Sequence, residues 1–125
     1  MPADLTRRSA FEIAAALRAR DVSAVEVLEA HLGVIDHLNP RLNAIVTLAA
    51  DAARETARAA DALIAAGSEN LPPLLGLPVV IKDIFETAGI RTTWASPVYA
   101  DHVPEEDAEV VARLRSAGAI ILGKS

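Results

Sequence analysis

The sequence predicts an α/β chain in which leading helices are followed by the first βαβ portion of a larger sheet. Three observations carry this. The first half holds two helix-start signatures, each followed by apolar residues at spacings of three and four. The second half holds two short apolar runs, 77–82 and 119–122, rich in β-branched residues. Between them lies an amphipathic segment of crossover-helix length. Strand, helix, strand implies a parallel pair inside an α/β sheet.

Ser9 with Glu12 forms the first capping box and opens a helix at 10–18. Ser23 with Glu26 forms the second, and Val22 with Val27 fits the hydrophobic staple around it. Val25, Leu28, Leu32 and Ile35 then make a core-facing stripe. Asn39-Pro40 is expected to stop that helix, because the residue before Pro is pushed out of the α region. Residues 43–47 lean towards strand. An Ala-rich helix follows at 48–66, with Gly67 as its natural terminator. Its charges Asp51, Arg54, Glu55, Arg58 and Asp61 read as one solvated face.

Residues 67–73 are loop by composition. The run 77–82 reads as a strand buried on both faces, and 83–104 as mostly irregular. Pro104 and the acidic Glu105-Glu106-Asp107 suit a helix N-terminus. Val110, Val111 and Leu114 supply that helix's apolar stripe, and Gly118 ends it. The second strand is expected at 119–122, with a turn at 123–125. Domain organisation follows: residues 1–67 are a helical lead-in, and residues 74–125 a strand–loop–helix–strand unit. Two parallel strands need their faces and edges covered, and the chain stops three residues after the second strand. The sequence therefore reads as the incomplete N-terminal part of one domain. Open strand edges predict self-association and poor stability of the chain alone.

Composition excludes several classes. The 125 residues carry 12 basic and 17 acidic groups, three His and no Cys, for a net charge of −5. The absence of Cys excludes a disulfide framework, a Cys-ligated metal site and a thiol nucleophile. Both halves are acidic, with 7 basic and 9 acidic groups in 1–65 and 5 and 8 in 66–125, so no basic face is present for direct nucleic-acid binding. The mean hydropathy of +0.30 is high, yet no apolar run approaches the ~20 residues of a membrane span. The first 13 residues lack an apolar core and place an acid before an Arg pair, unlike a signal peptide. A cytoplasmic protein without membrane contact is expected.

Four sets of residues are candidates for chemistry. Lys82 ends an apolar strand and precedes Asp83 and an irregular loop, where catalytic groups of α/β sheets collect. Position alone leaves two readings open: a desolvated base, or a lysine reaching solvent beside its Asp counter-ion. Residues 118–125 satisfy the P-loop pattern G-x-x-x-x-G-K-[ST], with Lys124 as its lysine. The four intervening residues are Ala-Ile-Ile-Leu, which want to be strand, and a strand cannot curl its amides around a phosphate. No nucleotide site is expected. His31 and His37 are six apart in one helix and face different directions, while His102 lies in a loop. They read as surface groups rather than metal ligands, and the acidic cluster 105–109 reads as a helix start. Ser96 follows Lys82 in the same loop, but its neighbours form no G-x-S-x-G elbow and no Ser-His-Asp set can be assigned.

The stretches Leu74-Leu-Gly-Leu-Pro-Val-Val-Ile-Lys-Asp83, Ala88-Gly-Ile-Arg-Thr-Thr-Trp-Ala-Ser96 and Asp107-Ala-Glu-Val-Val-Ala-Arg-Leu-Arg-Ser-Ala-Gly-Ala-Ile-Ile-Leu-Gly-Lys124 resemble the N-terminal part of the amidase signature family. Val22-Ser-Ala-Val-Glu26 and Leu38-Asn-Pro-Arg-Leu-Asn-Ala44 are similar to its leading helices, so the resemblance covers essentially the whole chain. It implies a large mixed sheet flanked by helices, hydrolysis or transfer of amide nitrogen, a small-molecule amide substrate, and no metal or organic cofactor. It implies a nucleophilic Ser, a bridging Ser preceded by a cis peptide bond, and a Lys that matches Lys82. Asp83 becomes a candidate supporting partner and Ser96 a candidate loop contact. No GGSSGGS-like stretch for the two serines exists here, so this chain holds one of three catalytic groups and is expected to be inactive alone. The family usually has Gly where this chain has Ala95. The resemblance leaves open a free-standing amidase, the amidase subunit of a tRNA-dependent amidotransferase, and a non-catalytic module that keeps the first part of the fold.

Overall fold

A computed structural model describes residues 4–125. The reading that the N-terminal segment is no signal peptide falls partly on residues 1–3, outside the described residues. Among the described residues four helices, α1 Ala10–Ala19, α2 Ala24–Leu42, α3 Ala50–Ala65 and α4 Glu109–Ser116, accompany three strands, β1 Thr47–Leu48, β2 Pro78–Ile81 and β3 Ile120–Lys124. Short 3-10 turns lie at Leu5–Arg7 and Pro97–Tyr99. The strand order is β1-β3-β2. β2 and β3 are parallel and β1 and β3 antiparallel, so the sheet is mixed. The α/β class and the parallel pair expected from sequence are both present.

Both capping boxes form. Ser9 Oγ accepts from Glu12 N at 3.3 Å while the Glu12 carboxylate accepts from Ser9 N at 2.8 Å. Ser23 and Glu26 repeat this at 3.1 and 2.8 Å. These bonds satisfy amides that have no partner within the helix. α2 receives a further cap from outside itself: the Asp61 carboxylate of α3 accepts from Ala24 N at 2.6 Å and Val25 N at 3.2 Å. Asp61 therefore leaves the solvated face assigned to it. The positive end of the α2 dipole draws the carboxylate in. Arg54 also reaches across, at 2.6 Å from Glu29 of α2.

α2 does not stop at Asn39-Pro40 but runs on through Pro40 to Leu42. Proline removes one N–H bond and forces no break this close to a helix end. The final turn is held by Asn43 N donating to Asn39 O at 2.7 Å, with Asn43 left-handed at φ 48°. The Asn39 side chain bonds both Ile45 N and Ile45 O at 2.9 Å, steering the chain into β1. That strand falls at 47–48, at the end of the 43–47 stretch expected to be β-leaning.

The core forms where α1, α2 and α3 pack on the sheet. Leu17, Val27, Leu28, Ala57 and Ile120 are each at most 1% exposed. Burying a Leu, Val or Ile side chain fully contributes about 1.5–3 kcal/mol. The alanines of α3 let it lie close against α2 while adding little side-chain ordering cost.

β3 is buried along its whole length, with a strand on either side. β2 is not: Pro78 and Val79 are half-buried and Val80 is 37% exposed. The expectation that 77–82 is buried on both faces thus fails for β2, which is an edge strand among the described residues. β3 also runs through Lys124, where a turn was expected. Gly123 permits this, because a Cβ there would lie 2.1 Å from Thr47 O of β1. α4 starts at Glu109 rather than at the acidic run. Asp107 instead accepts from Ala88 N at 2.7 Å and Arg115 Nε at 2.8 Å, tying the preceding loop to the helix end.

Candidate active site

Lys82 directly follows β2. Side chains alternate across a strand, and burial follows the alternation: Ile81 and Asp83 are buried while Lys82 is exposed. Its backbone is fixed on both sides by one residue. Ser125 N donates to Ile81 O at 3.0 Å and Asp83 N donates to Ser125 O at 2.8 Å, carrying the parallel ladder past the ends of β2 and β3. Phe85 N donates to Lys82 O at 3.0 Å and starts the loop. The Lys82 side chain is thus presented at the carboxyl end of a parallel strand, on the face opposite the Ile81 and Asp83 side chains.

Asp83 faces inward and does not pair with Lys82. Its carboxylate accepts from Thr93 N at 3.1 Å and from the Thr93 hydroxyl. Its carbonyl accepts from Trp94 N at 2.9 Å. Asp83 therefore straps residues 93–94 beside the strand end. The strap bends the backbone into the left-handed region at Trp94 (φ 56°) and Ala95 (φ 54°), a conformation costly for residues other than Gly. Ser96 is half-buried; its hydroxyl accepts from Val98 N at 3.4 Å and caps the 3-10 turn at Pro97–Tyr99. In this chain its hydroxyl has a local structural task.

Lys124 is the residue that sequence reasoning missed at the site. It entered as the lysine of a P-loop pattern already set aside and as the last residue of a family-like stretch, with no role assigned, and it is the last residue of β3. Its side chain is fully buried. Nζ donates to Phe85 O at 2.7 Å, Thr87 Oγ1 at 2.9 Å and Thr92 Oγ1 at 2.7 Å, and lies 4.0 Å from the Asp83 carboxylate. Burial pushes its pKa below the ordinary lysine value, and the Asp83 carboxylate opposes that shift. The available signal was a lysine ending an otherwise apolar strand, where only polar partners brought from elsewhere in the chain make burial tolerable.

Glu86 joins the outer loops. Its carboxylate accepts from Trp94 Nε1 at 2.7 Å and meets His102 Nε2 at 2.9 Å. The bond from His102, then that from Trp94, holds the Glu86 carboxyl below its usual range. His31 Nδ1 donates to Val27 O at 2.8 Å within α2. Among the described residues no three His, Asp or Glu side chains converge as a metal set, and no helix is long and apolar enough to cross a membrane. A mainly apolar groove of about 410 Å³, lined by residues such as Ala52, Leu63, Ile90 and Ile121, includes none of these groups, and a second groove of about 410 Å³ is lined by Glu86, His102 and Asp107.

The chain is thus an α/β protein whose mixed sheet carries an exposed lysine at the carboxyl end of one parallel strand and a buried lysine at the end of the next, which makes those strand ends its candidate site. A family model described as Amidase matches residues 26–125, and the chain belongs to that family. It is 48% identical over 122 residues to a glutamyl-tRNA(Gln) amidotransferase subunit of Acidothermus cellulolyticus, covering 98% of this chain and 24% of the relative. Among solved structures it is similar to the native peptide amidase of Stenotrophomonas maltophilia (TM-score 0.86, 31% identity), covering 94% of this chain and 24% of that one. It is also similar to a structure described as a vestigial protein complex that reveals the origins of an s-triazine catabolic enzyme (TM-score 0.87, 35% identity, covering 94% and 26%). The chain thus spans about a quarter of the length of the relatives it matches. The expected family and fold are both found.

Proposed function

We propose that this chain is the N-terminal part of a single amidase domain, and that Lys82 is the base of that domain's Ser–Ser–Lys relay. The observation that carries the reading is the placement of Lys82: exposed, at the carboxyl end of a parallel strand, with its backbone pinned by Ser125. Neutral Lys82 accepts a proton from the bridging Ser as that residue takes one from the nucleophilic Ser. The nucleophile adds to the amide carbonyl, and the proton returns along the relay to the nitrogen that leaves. Both serines lie outside these 125 residues on this reading, so the chain alone is inactive. Asp83 supports the site through the 93–94 strap and Ser96 through the adjoining turn.

The substrate is a carboxylic amide. The 48% identity to an amidotransferase subunit supports a more specific form: release of ammonia from an amide for transfer on glutamyl-tRNA(Gln), in company with partner subunits. The retained-module alternative predicts no hydrolysis in any context. The test is amide turnover by the purified full-length protein, with and without co-expressed partners. Turnover that falls at least about 10³-fold in Lys82→Ala supports the reading, that being within the range for a lost general base. Turnover that survives the substitution sinks it. Hydrolysis without partners favours the free-standing amidase, and activity only with them favours the amidotransferase form.

A further inference from the structure

Lys124 is a buried cation for which the relay just described has no use. Its three hydrogen-bond acceptors, Phe85 O, Thr87 Oγ1 and Thr92 Oγ1, all belong to the loop that leaves Lys82. The two hydroxyl protons are already committed: Thr87 Oγ1 donates to Phe85 O and Thr92 Oγ1 to Ile90 O, each at 3.0 Å. Both threonine oxygens therefore offer lone pairs. Three acceptors match the three N–H bonds of an ammonium, and a neutral amine leaves one of them without a donor. A buried charge of this kind gives no packing advantage over an apolar side chain of the same length. Its geometric effect is to draw two ends of one loop onto a single atom.

We propose that Lys124 is a positioning residue for Lys82. Lys82 lies between Ile81, the register partner of Lys124 on the neighbouring strand, and Asp83, whose carboxylate faces Lys124 at 4.0 Å. Lys124 holds residues 85–92 from below, and Asp83 holds residues 93–94 beside them. The strand end can then leave the sheet in one direction only, and the Lys82 side chain is fixed on the opposite face. The inference rests on the reading of Lys82 as the base and names a second residue on which that base depends.

The test uses the full-length protein with Lys124→Met, which keeps an unbranched stem without donors. The expected result is a fall in kcat of about 100-fold, the scale of a ~1 Å misplacement, with KM changed less than about threefold on that same view. Lys82 is the exposed one of only two lysines in this chain, so its acetylation by acetic anhydride, followed by peptide mass spectrometry, reads its setting directly. Its rate is expected to change by more than about threefold in Lys124→Met if the side chain is repositioned. Lys124→Met/Asp83→Asn removes the carboxylate left without its cation; it is expected to regain thermal stability but not kcat. Unchanged kcat per folded molecule together with unchanged Lys82 acetylation makes Lys124 merely structural and overturns the proposal. If Lys82→Ala leaves turnover intact, the relay reading fails, and the acetylation rate still decides whether Lys124 positions Lys82.

Discussion

Asp83 and Lys124 face each other at 4.0 Å across two parallel strands, both withdrawn from water. At this separation the pair is an electrostatic partnership rather than a direct hydrogen bond. Each member is held by other bonds, Asp83 by Thr93 and Lys124 by Phe85, Thr87 and Thr92. The pair therefore joins two hydrogen-bonded nets into one, and the loop after Lys82 is built on it. Removing one partner of a buried pair leaves the other uncompensated, at a cost of about 3–5 kcal/mol.

That burial makes stability depend on pH. An unfolded lysine titrates near 10.5, and folded Lys124 titrates lower because burial disfavours its charge. Between the two values the unfolded chain binds more protons, so this group makes stability rise with pH. Urea unfolding of the wild-type chain and of Lys124→Met, compared at successive pH values, is expected to show a difference that grows in favour of wild type as pH approaches 10.5. Below the lowered pKa the difference should be flat. A difference that shrinks with rising pH would contradict a depressed Lys124.

Ala95 occupies a left-handed conformation at φ 54°, where Ala is strained and Gly is not. Ala95→Gly is expected to stabilise the fold by about 1 kcal/mol, with the gain in native geometry outweighing the added freedom of the unfolded chain. Thermal unfolding monitored by circular dichroism checks this. A lower melting temperature would mean that the loop relaxes in solution to a conformation alanine tolerates.

Trp94 is the only tryptophan, and its indole N–H donates to Glu86 at 2.7 Å. Its fluorescence should therefore report the Glu86 carboxylate. Glu86 titrates below the usual 4.5 in the folded chain, held down first by His102 and then by Trp94. The stabilisation that it brings is present above 4.5 and is lost as pH falls through the lowered value. An acid titration should show an emission change with its midpoint below 4.5, absent in Glu86→Gln. The same transition in the variant would assign it to another group.

How much of this could be read from the chain depends on the range of the interactions involved. Ser9 with Glu12 and Ser23 with Glu26 are local pairs, closed by bonds three residues apart, so spacing alone determined both helix starts. The apolar runs determined two strands and their parallel pairing, because a crossover helix separates them. The strand-end position of Lys82 was legible for the same reason. Pro40 was misread because one lost hydrogen bond in a last turn is outweighed by the Asn39 and Asn43 bonds that close it. The acidic run 105–107 was misread because Asp107 is worth more to Ala88 N and Arg115 than to a helix dipole. The capping of α2 by Asp61 of α3 and the seating of Lys124 among Thr87 and Thr92 lay beyond any periodicity. A buried charge takes whatever partners the packing brings to it, and those partners are dozens of residues away along the chain. Sequence by itself determined the elements, the family and a candidate base. Only the tertiary structure decided that the second lysine is buried beneath the first one's loop, because desolvating an ammonium is tolerable only where three acceptors already converge.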